Sequence, residues 1–296
     1  ALSELGKKVL LVDLDPQGNL TSGTGIVKMD LDKCIYDLLL DDMVEVSETI
    51  IKLPEFDVIP ATIKLAIADN KLINEYARER KLLDKLEEID GQYDYVLIDC
   101  PPSLSILTIN ALIASNYVLI PVKMEKYAFD GIHHLENTIS SIKKLNKKLN
   151  VLGAFATAFD KRIKLSQENY TKLVDTFDGK YVFETKVSID SQISYSQEKE
   201  QSIFQFIMKN TLTINIIKKD NFTRTKRFGN SKSAKFVLIK KVIQSKKVLG
   251  GYHSSVDNFK FIIDKKLIYN KPKYKKIRGN YYEYKNIVNR ASVCNS

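Results

Sequence analysis

Residues 9–19 read Val9-Leu10-Leu11-Val12-Asp13-Leu14-Asp15-Pro16-Gln17-Gly18-Asn19. The four apolar residues at the start, two of them β-branched, predict a strand that is buried on both faces. Asp13 and Asp15 lie two residues apart, so both side chains leave the same side of the strand end. Pro16 ends the hydrogen-bonded ladder, and Gly18 permits a tight loop. Open α/β sheets bind ligands at strand ends of this kind, but a polar loop with an aspartate that caps the next helix has the same pattern.

A second stretch repeats this pattern at residues 93–102, with the sequence Tyr93-Asp94-Tyr95-Val96-Leu97-Ile98-Asp99-Cys100-Pro101-Pro102. It predicts another buried strand that ends in an acid and is followed by a proline break. With these two stretches the chain resembles the ParA/Soj family of deviant-Walker P-loop ATPases, which partition bacterial chromosomes and plasmids. The resemblance extends through residues 103–112 and 121–125, and it covers residues 1–206.

The resemblance implies an α/β fold in which helices flank a mostly parallel sheet, as in P-loop NTPases. The residues themselves predict the same class, because apolar strand segments at 56–60, 95–99 and 117–122 alternate with helical segments. One of these, residues 64–89, is expected to form a helix or a helix pair. Helical spacing predicts that this segment buries the side chains of Leu72, Tyr76, Leu83 and Leu86.

The start of the sequence lacks a part that the family has. ParA proteins open with a central strand, a glycine- and lysine-rich phosphate loop and a helix, yet no Gly-Lys-Thr or Gly-Lys-Ser occurs in these 296 residues. We therefore expect the first strand and the phosphate loop to be missing, with residues 1–6 as the last turn of that helix. The two strands beside the missing one would be unpaired, and each buried unpaired backbone group costs about 1–3 kcal/mol. We expect the chain alone to fold poorly and to be inactive as an ATPase.

The resemblance implies a role for each acid and for two loops. Asp15 takes the catalytic, water-orienting role, and Asp99 holds Mg²⁺ through a water molecule. Asp13 supports the Mg²⁺ ion or its hydration shell, with a hydrogen bond that orders the loop as the alternative. The family's two switch loops, which respond to the γ-phosphate, match two groups of residues here: Pro16, Gln17, Gly18 and Asn19 in the first, and Pro101 and Pro102 with Ser103 in the second. The implied cofactors are ATP and Mg²⁺.

The implied partners are a second copy of the chain in the presence of ATP, a ParB-type protein and nonspecific DNA. The family binds DNA around a segment that matches residues 187–197, and this segment contains no lysine or arginine. That composition argues against DNA binding by this route, because phosphate contacts need cations. The sequence contains no run of about 18 apolar residues, so it predicts no membrane span. The resemblance implies a cytoplasmic, nucleoid-associated bacterial protein.

The formal charge of +10 hides a strong asymmetry along the chain. Residues 207–296 hold 22 basic and 4 acidic residues, a net charge of +18, whereas residues 1–206 carry a net charge of −8. This asymmetry places a boundary near residue 206. We expect residues 1–206 to form a ParA-type nucleotide-binding domain that is incomplete at its start. Residues 207–296 are expected to form a basic, Lys/Asn/Tyr-rich tail that is atypical and weakly ordered.

Two origins remain open for the tail. Its cations and tyrosines suit phosphates and unstacked bases, which would make it a nucleic-acid-binding arm. Alternatively, a frameshift, fusion or read-through in an A/T-rich region produces the same composition. The second origin is favoured because helical periodicity fades at residue 206 and no recognisable binding motif replaces it.

Three functions follow from these observations. The leading hypothesis is a ParA-like partitioning ATPase that dimerises with ATP and associates with DNA. The second is a non-catalytic remnant, the product of a truncated or frameshifted ParA-like gene. The third is a MinD-like positioning ATPase, which needs a C-terminal amphipathic membrane helix. The tail's irregular mixture of lysines and aromatic residues does not predict such a helix.

Overall fold

The computed structural model describes residues 2–125, 129, 131–177, 181–203 and 205–206, together with the backbone of three short strands farther along the chain. Its centre is a seven-stranded sheet with the order β2-β3-β1-β4-β7-β5-β6. All neighbouring strands run parallel except β2 and β3. The strands are β1 (Val9–Asp13), β2 (Ile51–Lys52), β3 (Asp57–Ile59), β4 (Tyr95–Cys100), β5 (Tyr117–Lys123), β6 (Asn150–Thr157) and β7 (Lys235–Lys240). A separate antiparallel pair consists of β8 (Lys275–Lys276) and β9 (Tyr282–Glu283).

Helices connect the strands and cover the sheet, which confirms the predicted α/β class. They are α1 (Asn19–Gly23), α2 (Ile35–Leu40), α3 (Val46–Thr49), α4 (Ala68–Leu72), α5 (Lys81–Glu87), α6 (Ile106–Ala114), α7 (Ile132–Ile142), α8 (Lys164–Thr176) and α9 (Ser191–Glu198). Short 3₁₀ turns lie at Ser3–Leu5, Lys28–Asp30 and Ile63–Ile67.

Strand β1 is buried on both faces, as its apolar run predicts. Leu10 and Val12 point into the cluster on one side of the sheet, whereas Val9 and Leu11 point into the cluster on the other side. Fully burying a side chain of this size stabilises the fold by about 1.5–3 kcal/mol. The strand therefore anchors the acidic residues that follow it.

The segment 64–89 differs in part from the prediction. The 3₁₀ turn Ile63–Ile67 is followed directly by α4, which ends at Leu72. A run of turns, with Ala77 at φ 50°, separates α4 from α5. Leu72 and Leu86 are fully buried, as predicted, but Tyr76 is 93% exposed. The prediction for Tyr76 is wrong because the helical register is interrupted before that residue.

The slot between β4 and β5 is filled by β7. Six residues of β7 pair in parallel with β4, from Tyr95↔Lys235 to Cys100↔Lys240. Three residues of β7 pair in parallel with β5 on the other side. The prediction that two strands stay unpaired is therefore wrong, because the apolar run between Lys235 and Lys240 supplies backbone groups to both neighbours. Apart from β7, β8 and β9, the predicted tail lies outside the described residues.

Candidate functional site

Two carboxylates lie side by side at the carboxyl edge of the sheet. Asp13 and Asp99 occupy the same register position on the neighbouring parallel strands β1 and β4. Their side chains therefore leave the same face of the sheet, and both residues are buried. The backbone N–H of Leu14 donates to Asp99 O at 2.8 Å, which ties the two strand ends together. The structure thus brings together the two acids at the edge where sheets of this class bind ligands.

The Asp13 carboxylate organises the loop that leaves β1. Its Oδ2 accepts hydrogen bonds from the N–H and the Oγ1 hydroxyl of Thr21, both at 2.8 Å. Its Oδ1 accepts from Asp15 N at 3.3 Å. Thr21 Oγ1 in turn accepts from Ala61 N at 2.9 Å, which joins α1 to the segment after β3. These contacts are the ones expected if Asp13 serves to order the loop by hydrogen bonding, which was the alternative to a role at Mg²⁺.

Asp15 holds a β-turn that spans residues 15–18. Its backbone oxygen accepts from Gly18 N at 2.8 Å, and its Oδ1 accepts from Gln17 N at 3.0 Å. Pro16 stands at the second position of this turn, where its fixed φ is favourable. The side chain of Asp15 is buried. A carboxylate in this position is held by its own turn.

Only glycine suits the end of this turn. Gly18 has φ 57°, and an added Cβ would lie 2.7 Å from Ala61 O. It would also lie 2.8 Å from Lys28 Cε. The Lys28 ammonium donates to Gln17 O at 2.6 Å. The sequence predicted the glycine turn, but not the lysine that packs against it from the next turn of the chain.

The second predicted loop follows β4. Pro101 is buried, whereas Pro102 and Ser103 are exposed. Thr108 Oγ1 donates to Ser103 O at 2.7 Å, which fixes the loop to α6. Ser105, at the N-cap of α6, has a buried Oγ with no hydrogen-bond partner in the part of the chain that the structure describes. The loop thus leaves a buried hydroxyl at the start of a helix.

Asp13 and Asp99 could hold a magnesium ion if water and phosphate oxygens supplied its other ligands. Within the described ranges, no three His, Cys, Asp or Glu side chains come together in a way that could hold a metal. Mg²⁺ is commonly bound by one or two carboxylates with water and phosphate oxygens as its other ligands. Asp99 and Asp13 therefore fit this kind of ion better than a metal that needs an all-protein cage.

A cavity of about 270 Å³ lies on the same face of the sheet. Its floor contains Val9, Leu11 and Leu97, and residues of α1 and α9 line its sides. None of the three aspartates belongs to its lining. The edge with the carboxylates, rather than this apolar cavity, is therefore the candidate site.

The segment that matches the family's DNA-binding region forms an irregular stretch, with one parallel β-bridge from Ser188 to Phe159, and most of α9. Asp190 caps the helix by accepting from Gln192 N at 2.9 Å. Ile189 and Tyr195 are exposed on this segment. Its surface offers apolar and neutral polar groups and the acidic Asp190, none of which attracts phosphates. In the described part of the chain, no helix combines the length and the apolar character that crossing a membrane requires.

Sequence reasoning missed Thr21, Lys28 and Ser105. Thr21 and Lys28 act on residues 8 and 11 positions earlier in the chain. A local pattern does not show such contacts, because they depend on how the loop folds back. The hydroxyl group of Thr21, two residues after Asn19, was the one feature of the sequence that indicated a hydrogen-bond partner for Asp13.

Comparisons with known proteins agree with this geometry. A family model described as an AAA domain matches residues 1–151. The sporulation initiation inhibitor protein Soj of Bacillus subtilis is 45% identical over 197 residues, which cover 65% of this chain and 77% of Soj. The chromosome partitioning protein ParA of Myxococcus xanthus is 39% identical over 197 residues, which cover 66% of this chain and 69% of that protein.

A solved structure has a similar fold. It is the structure of cobyrinic acid a,c-diamide synthase from Mycobacterium smegmatis with a bound ATP analogue and magnesium. The superposition has a TM-score of 0.60 at 37% identity, and it covers 64% of this chain and 76% of the other. The AAA-domain match over half of the chain, the Soj and ParA relatives and the acids at the edge of the sheet agree: the chain belongs to the ParA/Soj family of P-loop ATPases.

Proposed function

We propose that this protein is a ParA-type ATPase of chromosome or plasmid partitioning that uses ATP and Mg²⁺. The observation that carries the proposal is the register pairing of Asp13 with Asp99, with Asp15 held on the turn that follows. The relatives Soj and ParA and the magnesium-bound structure of the mycobacterial protein support it.

Each acid has a distinct role in this proposal. Asp99 would hold Mg²⁺ through a water, and the ion would supply the positive charge that offsets the phosphates. Asp15 orients the attacking water: its Oδ1 is held by Gln17 N, and we assign the water to Oδ2. Asp13 supports the hydration shell of the ion, but its bonds to Thr21 make positioning the loop its main role.

The two switch loops connect these acids to the γ-phosphate in the proposal. The first contains Pro16, Gln17, Gly18 and Asn19, and the second contains Pro101, Pro102 and Ser103. Both begin at the end of a buried strand. A shift of either loop would therefore change the position of Asp15 or Asp99. Such loops suit an ATPase whose partners sense the nucleotide state.

We extend the proposal to dimerisation with ATP, a ParB-type partner and nonspecific DNA association on the nucleoid. These points rest on the relationship to Soj and ParA. Because residues 187–197 lack lysine and arginine, DNA association would need cations elsewhere. Residues 207–296, with a net charge of +18, are the strongest source of cations in the sequence.

The second candidate function is a non-catalytic remnant. It is favoured by one observation: the 296 residues contain no Gly-Lys-Thr or Gly-Lys-Ser of a phosphate loop. In that case the acids at the edge of the sheet would be retained without turnover. The chain alone would then neither bind ATP tightly nor hydrolyse it.

The experiment compares the chain with a chimera that carries the family's phosphate-loop strand, loop and helix ahead of Ala1 and that ends at residue 206. Without β7, the added strand has no competitor for the slot between β4 and β5. We expect the chimera to hydrolyse ATP with Mg²⁺, and we expect Asp15→Ala to lower its turnover by about 100-fold or more while ATP still binds. Asp30→Ala, an exposed acid outside the site, is the matched control. Equal turnover in Asp15→Ala and the control would remove Asp15 from its role, and an inactive chimera would favour the remnant.

A further inference from the structure

Lys28 contacts the turn that carries Asp15, although it lies 11 residues from Gln17. Its backbone forms the start of the 3₁₀ turn Lys28–Asp30. The side chain is half-buried and reaches back so that Nζ donates to Gln17 O at 2.6 Å. A charged donor makes a stronger hydrogen bond than a neutral one.

The contact holds one particular peptide group. The C=O of Gln17 and the N–H of Gly18 belong to the same peptide unit. Its N–H donates to Asp15 O at 2.8 Å, and its C=O accepts from Lys28. Rotation of this unit would break both hydrogen bonds at once. Peptide units beside a glycine at positive φ rotate easily when nothing holds them, because glycine tolerates either orientation.

Packing supports the same arrangement. The ideal Cβ position of Gly18 lies 2.7 Å from Ala61 O, and it lies 2.8 Å and 2.9 Å from Lys28 Cε and Nζ. The turn is therefore enclosed between the backbone after β3 and the end of the lysine side chain. The aliphatic stem of Lys28 fills the space beside the turn, while its ammonium makes the hydrogen bond.

We propose that Lys28 is a positioning residue for Asp15: it holds the Gln17–Gly18 peptide and so keeps the carboxylate of Asp15 in one orientation. The Asp15 Oδ1 to Gln17 N bond depends on the turn geometry that Lys28 maintains. The functional part of this inference rests on the proposed water-orienting role of Asp15. The structural part, that Lys28 protects the amides of the turn from hydrogen exchange, does not depend on that role.

The test measures amide hydrogen exchange in the full 296-residue chain. Lys28→Met keeps the stem and removes the donor, and we expect exchange at the amides of Gln17 and Gly18 to become about fivefold faster. Lys33→Met is the matched control, because Lys33 lies five residues away and pairs with Glu48 instead. Lys28→Arg keeps a charged donor and should restore part of the protection.

The outcomes separate three cases. Faster exchange at Gln17 and Gly18 in Lys28→Met, with the control and the melting temperature unchanged, supports the inference. Unchanged exchange, or the same increase in Lys33→Met, overturns it. If Lys28→Met does not fold, Lys28→Gln, which replaces the charged donor by a neutral one on a shorter side chain, is compared with the parent chain: faster exchange at the same two amides supports the inference, and unchanged exchange overturns it. In the chimera described above, Lys28→Met should lower kcat and leave KM unchanged; an inactive chimera would count against the proposed function alone.

Discussion

At the scale of single residues, the site depends on how the buried carboxyl group of Asp13 is hydrogen-bonded. Asp13 is fully buried, and a buried carboxylate is tolerated when it accepts hydrogen bonds. Thr21 supplies two of them, from its backbone and its hydroxyl. The same hydroxyl accepts from Ala61 N, so one side chain links β1, α1 and the segment after β3.

Thr21→Val should lower the free energy of unfolding by about 1–3 kcal/mol, because the variant leaves Ala61 N without its acceptor and Asp13 with one donor fewer. Urea unfolding followed by circular dichroism measures the change. Thr21→Ser keeps the hydroxyl and serves as the control. Equal stability of the Val and Ser variants would show that the hydroxyl contacts contribute nothing.

A second residue-scale prediction concerns acid pH. Arg162 donates to both oxygens of Asp160, at 3.0 Å and 2.7 Å, and these hydrogen bonds lower the pKa of Asp160 from its ordinary value of 3.8 to about 2. Because the pKa is lower in the folded chain, the stability that this carboxylate contributes is complete above about pH 4. It is lost as the pH falls from about 4 to about 2.

Titration of the Asp160 carboxyl carbon by NMR measures this shift. In Arg162→Gln the midpoint should move up towards 3.8, since the charged partner is gone. Arg80→Gln, whose guanidinium pairs with Asp84 instead, is the control. The same midpoint in the parent chain and in Arg162→Gln would contradict the prediction.

At the scale of elements, one buried amide joins two helices. Asn110 on α6 donates through Nδ2 to Arg78 O at 2.7 Å and to Ile106 O at 3.0 Å. Its Oδ1 accepts from Leu82 N at 3.1 Å, near the start of α5. The first N–H groups of a helix have no partner within the helix. Asn110 therefore satisfies the start of α5 from a neighbouring element.

Asn110→Leu should lower the free energy of unfolding by about 2–4 kcal/mol, because Leu82 N and Arg78 O both lose their buried partner. The substitution keeps the approximate size of the side chain, so packing changes are small. Asn137→Leu, at an exposed position of α7, is the control and should change stability little. Equal melting temperatures for the two variants would refute the linking role of Asn110.

At the scale of the whole molecule, β7 makes the described strands one continuous sheet. Strands β4 and β5 follow each other in the chain, with α6 between them, but they do not pair. Lys235–Lys240 pairs with both and joins β2-β3-β1-β4 to β5-β6. The carboxyl end of β7 lies beside Asp99 and Cys100 in register, at the edge with the acids.

Leu238→Pro should destabilise the whole sheet by about 3 kcal/mol or more, since a proline in a central strand removes a ladder hydrogen bond and does not fit. Thermal unfolding of the full chain measures the change. Lys276→Pro, in the separate two-stranded pair, is the control. No difference between these variants would show that β7 does not support the sheet, and would favour a weakly ordered tail.

The sequence alone determined the features that arise from neighbouring residues. Strand β1, strand β4, the acids after them and the glycine turn at Gly18 were all predicted, because burial and turn chemistry leave local patterns. The resemblance to ParA/Soj proteins came from the same residues. That resemblance also placed Asp13 and Asp99 at one Mg²⁺ ion.

The tertiary structure decided the features that join distant parts of the chain. Thr21 bonds to Asp13, Lys28 bonds to the turn of Asp15, and β7 enters the sheet from a segment predicted as a tail. Local pattern reasoning missed these contacts because hydrophobic periodicity reports which face of an element is buried, not which partner covers it. Strand order and side-chain reach depend on the packing of the complete chain, and these set the positions of the acids.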